Sequence, residues 1–239
     1  MSTSTPPSRT TIELFDDLAD LFDEFSKALD TVERPLGAWM AANLPKGRRA
    51  LDIGCGAGRH SLLLAGLYDE VVAADPSPSM IEIAERDRSR PNITYQVRDA
   101  FDLKPEADGH FDVVYAFSCV FHMAEPAVIL PHLASLVAPD GGLVIFDPQR
   151  PPDYGQEGWE VNYAFSMGRM AYELTGQLDT AISMLRTFTH PSWLEISRRN
   201  VPLSPEEFRS RYTAALPDVR IDDQIFPGFM TARWTAPAE

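Results

Sequence analysis

The sequence predicts an α/β fold: a seven-stranded, mostly parallel sheet with helices on both faces and an antiparallel last strand. Two observations predict it. Between residues 49 and 147, short apolar runs alternate with longer amphipathic stretches, as parallel strands and their crossover helices do. The first run leads straight into a glycine-rich turn, Gly54-Cys55-Gly56-Ala57-Gly58, and the next two runs end in acids, so ligand-type residues gather at the carboxyl edge of the sheet.

In chain order, residues 1–11 are rich in Ser, Thr and Pro and have little apolar surface to bury, so a flexible leader is expected. From 12 to 44, Leu14, Leu18, Leu21, Phe22, Phe25 and Leu29 recur at helical spacing, which predicts two helices with Pro35 as the break. The acids Glu13, Asp16, Asp17, Asp20, Asp23 and Glu24 read as the solvated face of the first. Strands are predicted at 49–53, 70–74, 93–97, 111–117 and 142–147, with helices at 59–67, 78–87 and 126–137 between them. Ser77 is a cap for the second of these helices, with Pro78 at the first position, where a missing N–H costs nothing. Pro131 should kink the third or move its start.

After Asp147 a Pro- and Gly-rich stretch (148–158) precedes a predicted helix at 159–174 and two β-like runs at 180–188 and 193–199. These residues, 148–203, read as a cap inserted between the fifth strand and the last helix. The core then resumes over 204–239, with a helix at 204–216 started by Ser204 and Pro205 and an antiparallel hairpin at 219–226 and 229–235. On this division residues 12–147 hold the N-terminal helices and the ligand-binding part of the core.

Composition narrows the function. A hydrophobic content of 44% with 23% charged residues is that of an ordinary globular chain. The formal net charge of -14 opposes broad contact with a phosphate backbone, so no nucleic-acid partner is expected, and a small-molecule or peptide partner is. With neither a signal-peptide pattern nor a long uncharged apolar run, a cytoplasmic chain away from the membrane is expected, as monomer or homodimer. Cys55 and Cys119 stand in apolar or Gly-rich surroundings rather than in a spaced ligand set, which implies neither a disulfide nor a metal site.

The residues with chemistry cluster after the strands. In Leu51-Asp52-Ile53-Gly54-Cys55-Gly56-Ala57-Gly58, side chains at Gly54 and Gly56 would block a ligand's approach or demand unfavourable φ, and the helix start beyond offers free amides. A dinucleotide-binding turn reads G-x-G-x-x-G; here Arg59 follows G-x-G-x-G, and Asp52 before the turn would repel pyrophosphate while suiting an ammonium group. Asp75, at the end of the second strand, is placed to accept hydrogen bonds from ribose hydroxyls, and Asp99 puts a third acid at the same edge. A nicotinamide-dependent oxidoreductase is disfavoured by Asp52 and Arg59.

With these residues, the segment 50–147 resembles a class I S-adenosylmethionine-dependent methyltransferase of the broad type 11 kind, whose fold is Rossmann-like. The resemblance implies that Asp52 with Gly54, Cys55, Gly56 and Gly58 holds the methionine part of S-adenosylmethionine. It implies that Asp75 and Pro76 meet the ribose, Met80 one adenine face, and Asp99, Ala100 and Phe101 the adenine edge, while Phe117 and Ser118 offer backbone to the amino group. Residues 137–142 match the turn before the family's fifth strand, and the run from Phe15 to Phe25 is similar to its lid helix, with Phe22 where Tyr is frequent.

The implied activity is methyl transfer to an O, N or C atom of a small-molecule or peptide acceptor, with S-adenosylhomocysteine as product; the alternative is a protein that binds S-adenosylmethionine without methylating. His122, just after the fourth strand, is the candidate base, and Phe22, Tyr163, His190 and Arg198 are candidate acceptor contacts. Trp159, Tyr163, Phe165, Met167 and Met170 either pack the cap or line an apolar pocket.

Overall fold

The computed structural model describes residues 9–29 and 34–238, so most of the expected leader and the link between the first two helices lie outside the described residues. The sheet holds β1 Arg49–Ile53, β2 Glu70–Asp75, β3 Ile93–Val97, β4 Phe111–Phe117, β5 Val137–Pro148, β6 Arg220–Asp222 and β7 Phe229–Thr235, in the order β3-β2-β1-β4-β5-β7-β6. Every pairing from β3 to β5 is parallel, and β7 runs antiparallel to both its neighbours. The predicted hairpin therefore closes one edge.

The central strands are apolar on both faces because both faces are covered, as parallel sheets require. In β4, Val113, Val114, Tyr115 and Ala116 are all fully buried. Leu51, Ile53, Val114 and Ala116 join one core with Leu130, Leu133, Phe208 and Tyr212, while Ala50, Val113, Tyr115 and Phe146 join a second with Met40 and Leu64.

Registers Ile53↔Ala74, Ile53↔Ala116, Asp75↔Val97 and Phe117↔Phe146 align the strand ends along one edge. The strand order reverses between β1 and β4, and the crevice outside that point is where such sheets take ligands.

The helices are α1 Thr11–Leu29, α2 Arg34–Asn43, α3 Arg59–Ala65, α4 Pro78–Arg88, α5 Pro105–Asp108, α6 Val120–Met123, α7 Pro126–Ser135, α8 Trp159–Thr175, α9 Leu178–Phe188, α10 Pro191–Arg199 and α11 Pro205–Ala215. Among the described residues no helix is long and apolar enough to cross a membrane. The cap signals act as read: Ser77 Oγ accepts from the Met80 amide at 3.1 Å, and Ser204 with Glu207 forms a reciprocal capping box on α11. Pro35 lies in the first turn of α2, where a missing donor is harmless, and α7 runs past Pro131 to Ser135.

Several expectations are corrected. The runs at 180–188 and 193–199 are not strands: they form α9 and α10. Their β-branched and aromatic residues suggested strands, but Thr180, Ala181, Met184, Thr187 and Phe188 are buried at helical spacing, and Pro191 opens α10 at its first position. β5 begins at Val137, with a bulge between Phe111 and Val113 of the neighbouring strand absorbing the turn expected at 137–142, and Asp140 taking φ 59°. β6 is shorter than the run 219–226.

The acids of α1 are not all solvated. Asp23 is 4% exposed and paired with Arg88 at 2.6 Å, Asp16 accepts from Ser77 Oγ at 2.6 Å, and Asp17 faces Arg9 at 3.1 Å. The helix is packed on both sides, against α4 on one and against α9 and α10 on the other, so an acidic stripe that would face water on a surface helix is used for contacts.

Candidate functional site

The site is built at the end of β1. Gly54, Gly56 and Gly58 all take left-handed φ (64°, 51° and 83°), which side chains rarely adopt, so this turn requires glycine. The amides of Gly54 and Cys55 donate to Ala74 O at 2.8 and 3.2 Å, fastening the turn to the end of β2. A Cβ at Gly56 would meet nothing nearer than Met80 Sδ at 4.0 Å, whereas at Gly54 and Gly58 it would strike Cys119 and Tyr95 at 2.6 Å. The space beside the turn therefore opens at Gly56.

Two predicted carboxylates converge there. Asp52 is 2% exposed; its Oδ2 accepts from Ser61 Oγ at 2.6 Å, and burial pushes its pKa up to about 7, with the charge of Asp75 adding to the rise. Asp75 accepts from the Gly56 amide and the Ser77 amide, each at 2.9 Å. Burial nonetheless pushes it up to about 6, past the pull of those two amides.

Asp99, just beyond the neighbouring strand end, is exposed, and its Oδ1 accepts from the Phe101 amide at 2.9 Å, capping a short turn over Ala100–Asp102. Pro76 connects Asp75 to the capped start of α4, and Met80 is buried with Ala57, Ala19 and Ile83 beneath Phe15 and Phe22 of α1. The helix expected to act as a lid lies over the turn.

At the neighbouring strand end, the Ser118 amide donates to Phe146 O at 2.6 Å while the residue takes φ 58°, a conformation unusual for a non-glycine residue. Phe117 stacks on Phe229 at 4.9 Å and meets His60 edge-on at 4.3 Å. Cys55 and Cys119 are free thiols, both held well above the usual thiol range by burial, and Cys119 Sγ donates to Ile53 O at 3.1 Å.

A cavity of about 410 Å³ opens between α6, the start of α7, the end of β5 and residues from Arg199 to Tyr212, and Met123, which lines it, lies 3.4 Å from a Cβ placed at Gly54. His122 also lines the cavity; its ring lies 5.2 Å from that of Phe15, its Nδ1 is buried without a hydrogen-bond partner among the described residues, and burial lowers its pKa to about 3.

Asp147 and Tyr212, not singled out in the sequence, line the same cavity. Tyr212 Oη donates to Asp147 Oδ2 at 3.0 Å, and burial pushes the carboxyl up to about 7. The signal that would have found Asp147 is its place at a strand end on the ligand edge, the same logic that picked out Asp75. Tyr212, 65 residues away, is brought to it only by the fold.

The candidate acceptor contacts fall elsewhere. Phe22 packs edge-on against Phe25 at 5.5 Å and beside Trp193 at 6.0 Å, and Tyr163 meets Phe188 at 5.2 Å, in an aromatic cluster joining α1 to α8–α10. Met167 and Met170 belong to that cluster and Phe165 is exposed. His190 caps α10 by accepting from the Ser192 amide at 3.2 Å, and Arg198 pairs with Glu160 at 2.9 Å on the surface. None of these four lines the cavity.

Residues 51–145 match the family model for a methyltransferase domain. A ubiquinone biosynthesis O-methyltransferase of Xanthomonas axonopodis pv. citri is 33% identical over 133 residues, 52% of this chain and 56% of the relative. The O-methyltransferase cnsE of Penicillium expansum is 32% identical over 123 residues, 49% of this chain and 44% of the relative. The chain thus spans about half the length of these curated relatives. Among solved structures, that of the DhpI-SAH complex superposes with a TM-score of 0.64 at 21% identity, covering 95% of each chain. The glycine turn, the strand order and the matched segment agree: residues 51–145 are a methyltransferase domain of the class I S-adenosylmethionine-dependent superfamily.

Proposed function

We propose that this protein transfers a methyl group from S-adenosylmethionine to an oxygen atom of a small-molecule acceptor. The observation that carries the reading is the pair of carboxylates, Asp52 buried and Asp75 half-buried, at a turn that opens at Gly56. What acts on them is burial, hydroxyl and amide donors, and other carboxylates. Such a pair is costly to ionise until a guest supplies positive charge and hydroxyl donors, as an aminoacyl nucleoside sulfonium does.

In this reading Asp52 and the turn from Gly54 to Gly58 hold the aminoacyl part, with the Phe117 and Ser118 backbone nearby, and Asp75 with Pro76 meets the ribose. Met80, Asp99, Ala100 and Phe101 bound the adenine, and α1 excludes water above them. When bound, S-adenosylmethionine supplies an electrophilic methyl group whose leaving sulfur needs no acid. The chain's own part is alignment and exclusion of water, which can lower the barrier by several kcal/mol, on the order of 7 in a well-aligned complex. An oxygen acceptor is supported by the two O-methyltransferase relatives, and the cavity beside α6 suits a small molecule.

The test is incubation with methyl-labelled S-adenosylmethionine and a panel of phenols, catechols and carboxylic acids, with calorimetric titration of S-adenosylhomocysteine alongside. Label in an ether or ester product is the expected result. Binding with no label in any product would favour a protein that uses the nucleoside without methylating, and no heat of binding would end the reading.

A further inference from the structure

We propose that Asp147 is the proton acceptor for a hydroxyl-bearing acceptor bound in the cavity between α6, the end of β5 and α11, with Tyr212 as the residue that positions it. The proposal deepens the methyltransferase reading above and rests on it. Three geometric facts carry it. Asp147 ends β5 at the ligand edge and is 3% exposed, yet lines the cavity. Its Oδ2 accepts from Tyr212 Oη at 3.0 Å and the amides at the start of α6 face the carboxyl, while Oδ1 is buried with no well-aligned hydrogen-bond partner among the described residues. A second buried polar atom without a partner, His122 Nδ1, lies on the same cavity. Buried polar atoms in a folded protein are satisfied, so two on one wall point to a guest with a hydrogen-bonding group.

Of the two, the carboxylate is the better base. Burial leaves His122 with a pKa of about 3, so its ring gains little by taking a proton near neutrality, whereas Asp147 titrates at about 7, where it is half ionised and still basic. The groups that face Asp147 are the Tyr212 hydroxyl from α11, the Cys119 thiol, and the amides of Cys119, Val120 and Phe121 at the start of α6, the amides opposing the rise that burial imposes. Across the cavity stand His122 from α6, Arg150 after β5, Arg199 of α10, and Arg211 of α11 paired with Glu125 at 2.7 Å. In the step itself, the acceptor's O–H bond breaks with its proton passing to Asp147. The acceptor oxygen forms the bond to the methyl carbon, and the sulfur keeps the electron pair of the bond it loses. Asp147 returns its proton to water.

The experiment uses the full chain saturated with S-adenosylhomocysteine and 4-nitrophenol as an optical probe, alongside the label-transfer assay. Wild type should show the phenolate band of the bound probe at a pH where D147N shows the neutral phenol, with S-adenosylhomocysteine affinity unchanged in the variant as proof that it folds. In turnover, D147N should fall by about 100-fold or more in kcat with KM little changed, and lose the rise of rate through pH 7. Y212F, which removes the donor to Oδ2, should move that rise upward by about one pH unit, which a tyrosine without a link to the proton acceptor would not do. Identical probe spectra in wild type and D147N, or equal label transfer by both, would overturn the assignment while leaving the methyltransferase reading intact. No label transferred by wild type to any acceptor would overturn both.

Discussion

At the scale of single residues, the two glycines flanking Cys55 separate a ligand effect from a folding effect. Both take left-handed φ, so any side chain is strained at either, at a cost of about 1 kcal/mol or more. Their surroundings differ. A Cβ at Gly54 strikes Cys119 Cβ at 2.6 Å, while at Gly56 it meets nothing nearer than 4.0 Å. Gly54→Ala should therefore lower the unfolding free energy by more than Gly56→Ala does, because Cys119 must move with the start of α6. Gly56→Val should leave a folded protein that no longer takes up S-adenosylhomocysteine, since its branches enter the space that opens at the turn. Chemical denaturation and calorimetry on the three variants read the two effects separately; retained affinity in Gly56→Val would remove the turn from the cofactor site.

At the scale of elements, α1 is tied to the turn by a chain of buried polar contacts. Asp23 pairs with Arg88 of α4 at 2.6 Å, both side chains 6% exposed, and Arg88 Nη1 donates to Ala57 O at 2.9 Å, inside the glycine turn. Asp16 reaches Ser77 and Ser79 beside Asp75. Removing one member of a buried pair strands the other charge, so Asp23→Ala should cost about 3 to 5 kcal/mol, whereas Asp23→Ala with Arg88→Met should recover much of that. If the double variant is no more stable than the single in urea titrations, the pair is not what holds α1. These links also explain what the sequence disclosed. Strand–helix alternation, Ser77, Ser204 and the acids at 52 and 75 were legible because each is local: a period, a cap, a residue at a strand end. The burial of Asp23, the helices α9 and α10 and the Asp147–Tyr212 pair were not, because each depends on what packs opposite. Thr180 to Phe188 carries strand-forming residues yet coils so that Ala181, Met184 and Phe188 can face α8 and α1.

At the scale of the whole molecule, the buried carboxyls give the fold a pH dependence opposite to that of an ordinary acidic protein. Asp52 and Asp147 are raised to about 7 and Asp75 to about 6, each first by burial. A carboxyl whose folded pKa lies above its unfolded one stabilises fully below the unfolded value near 4 and loses that contribution as pH rises through the folded value. His122 works the other way: lowered to about 3 by burial, its contribution is present above about 6.5 and is lost as pH falls. Three carboxyls outweigh one imidazole, so the ligand-free protein should gain stability, on the order of a few kcal/mol, as pH falls from 8 to 5. The exposed carboxylates held low by ion pairs, such as Asp87 beside Arg86 and Lys27, change this little because solvent screens them. A guest that places an ammonium group by Asp52 and hydroxyls by Asp75 favours the ionised forms, so its affinity must rise with pH through the same window. Thermal unfolding with and without S-adenosylhomocysteine at pH 5, 6, 7 and 8 should therefore show a falling apo Tm and a widening gap between the two curves. A gap that stays constant would mean that the guest does not read these carboxylates, and Asp52 and Asp75 would then lose their place as cofactor ligands.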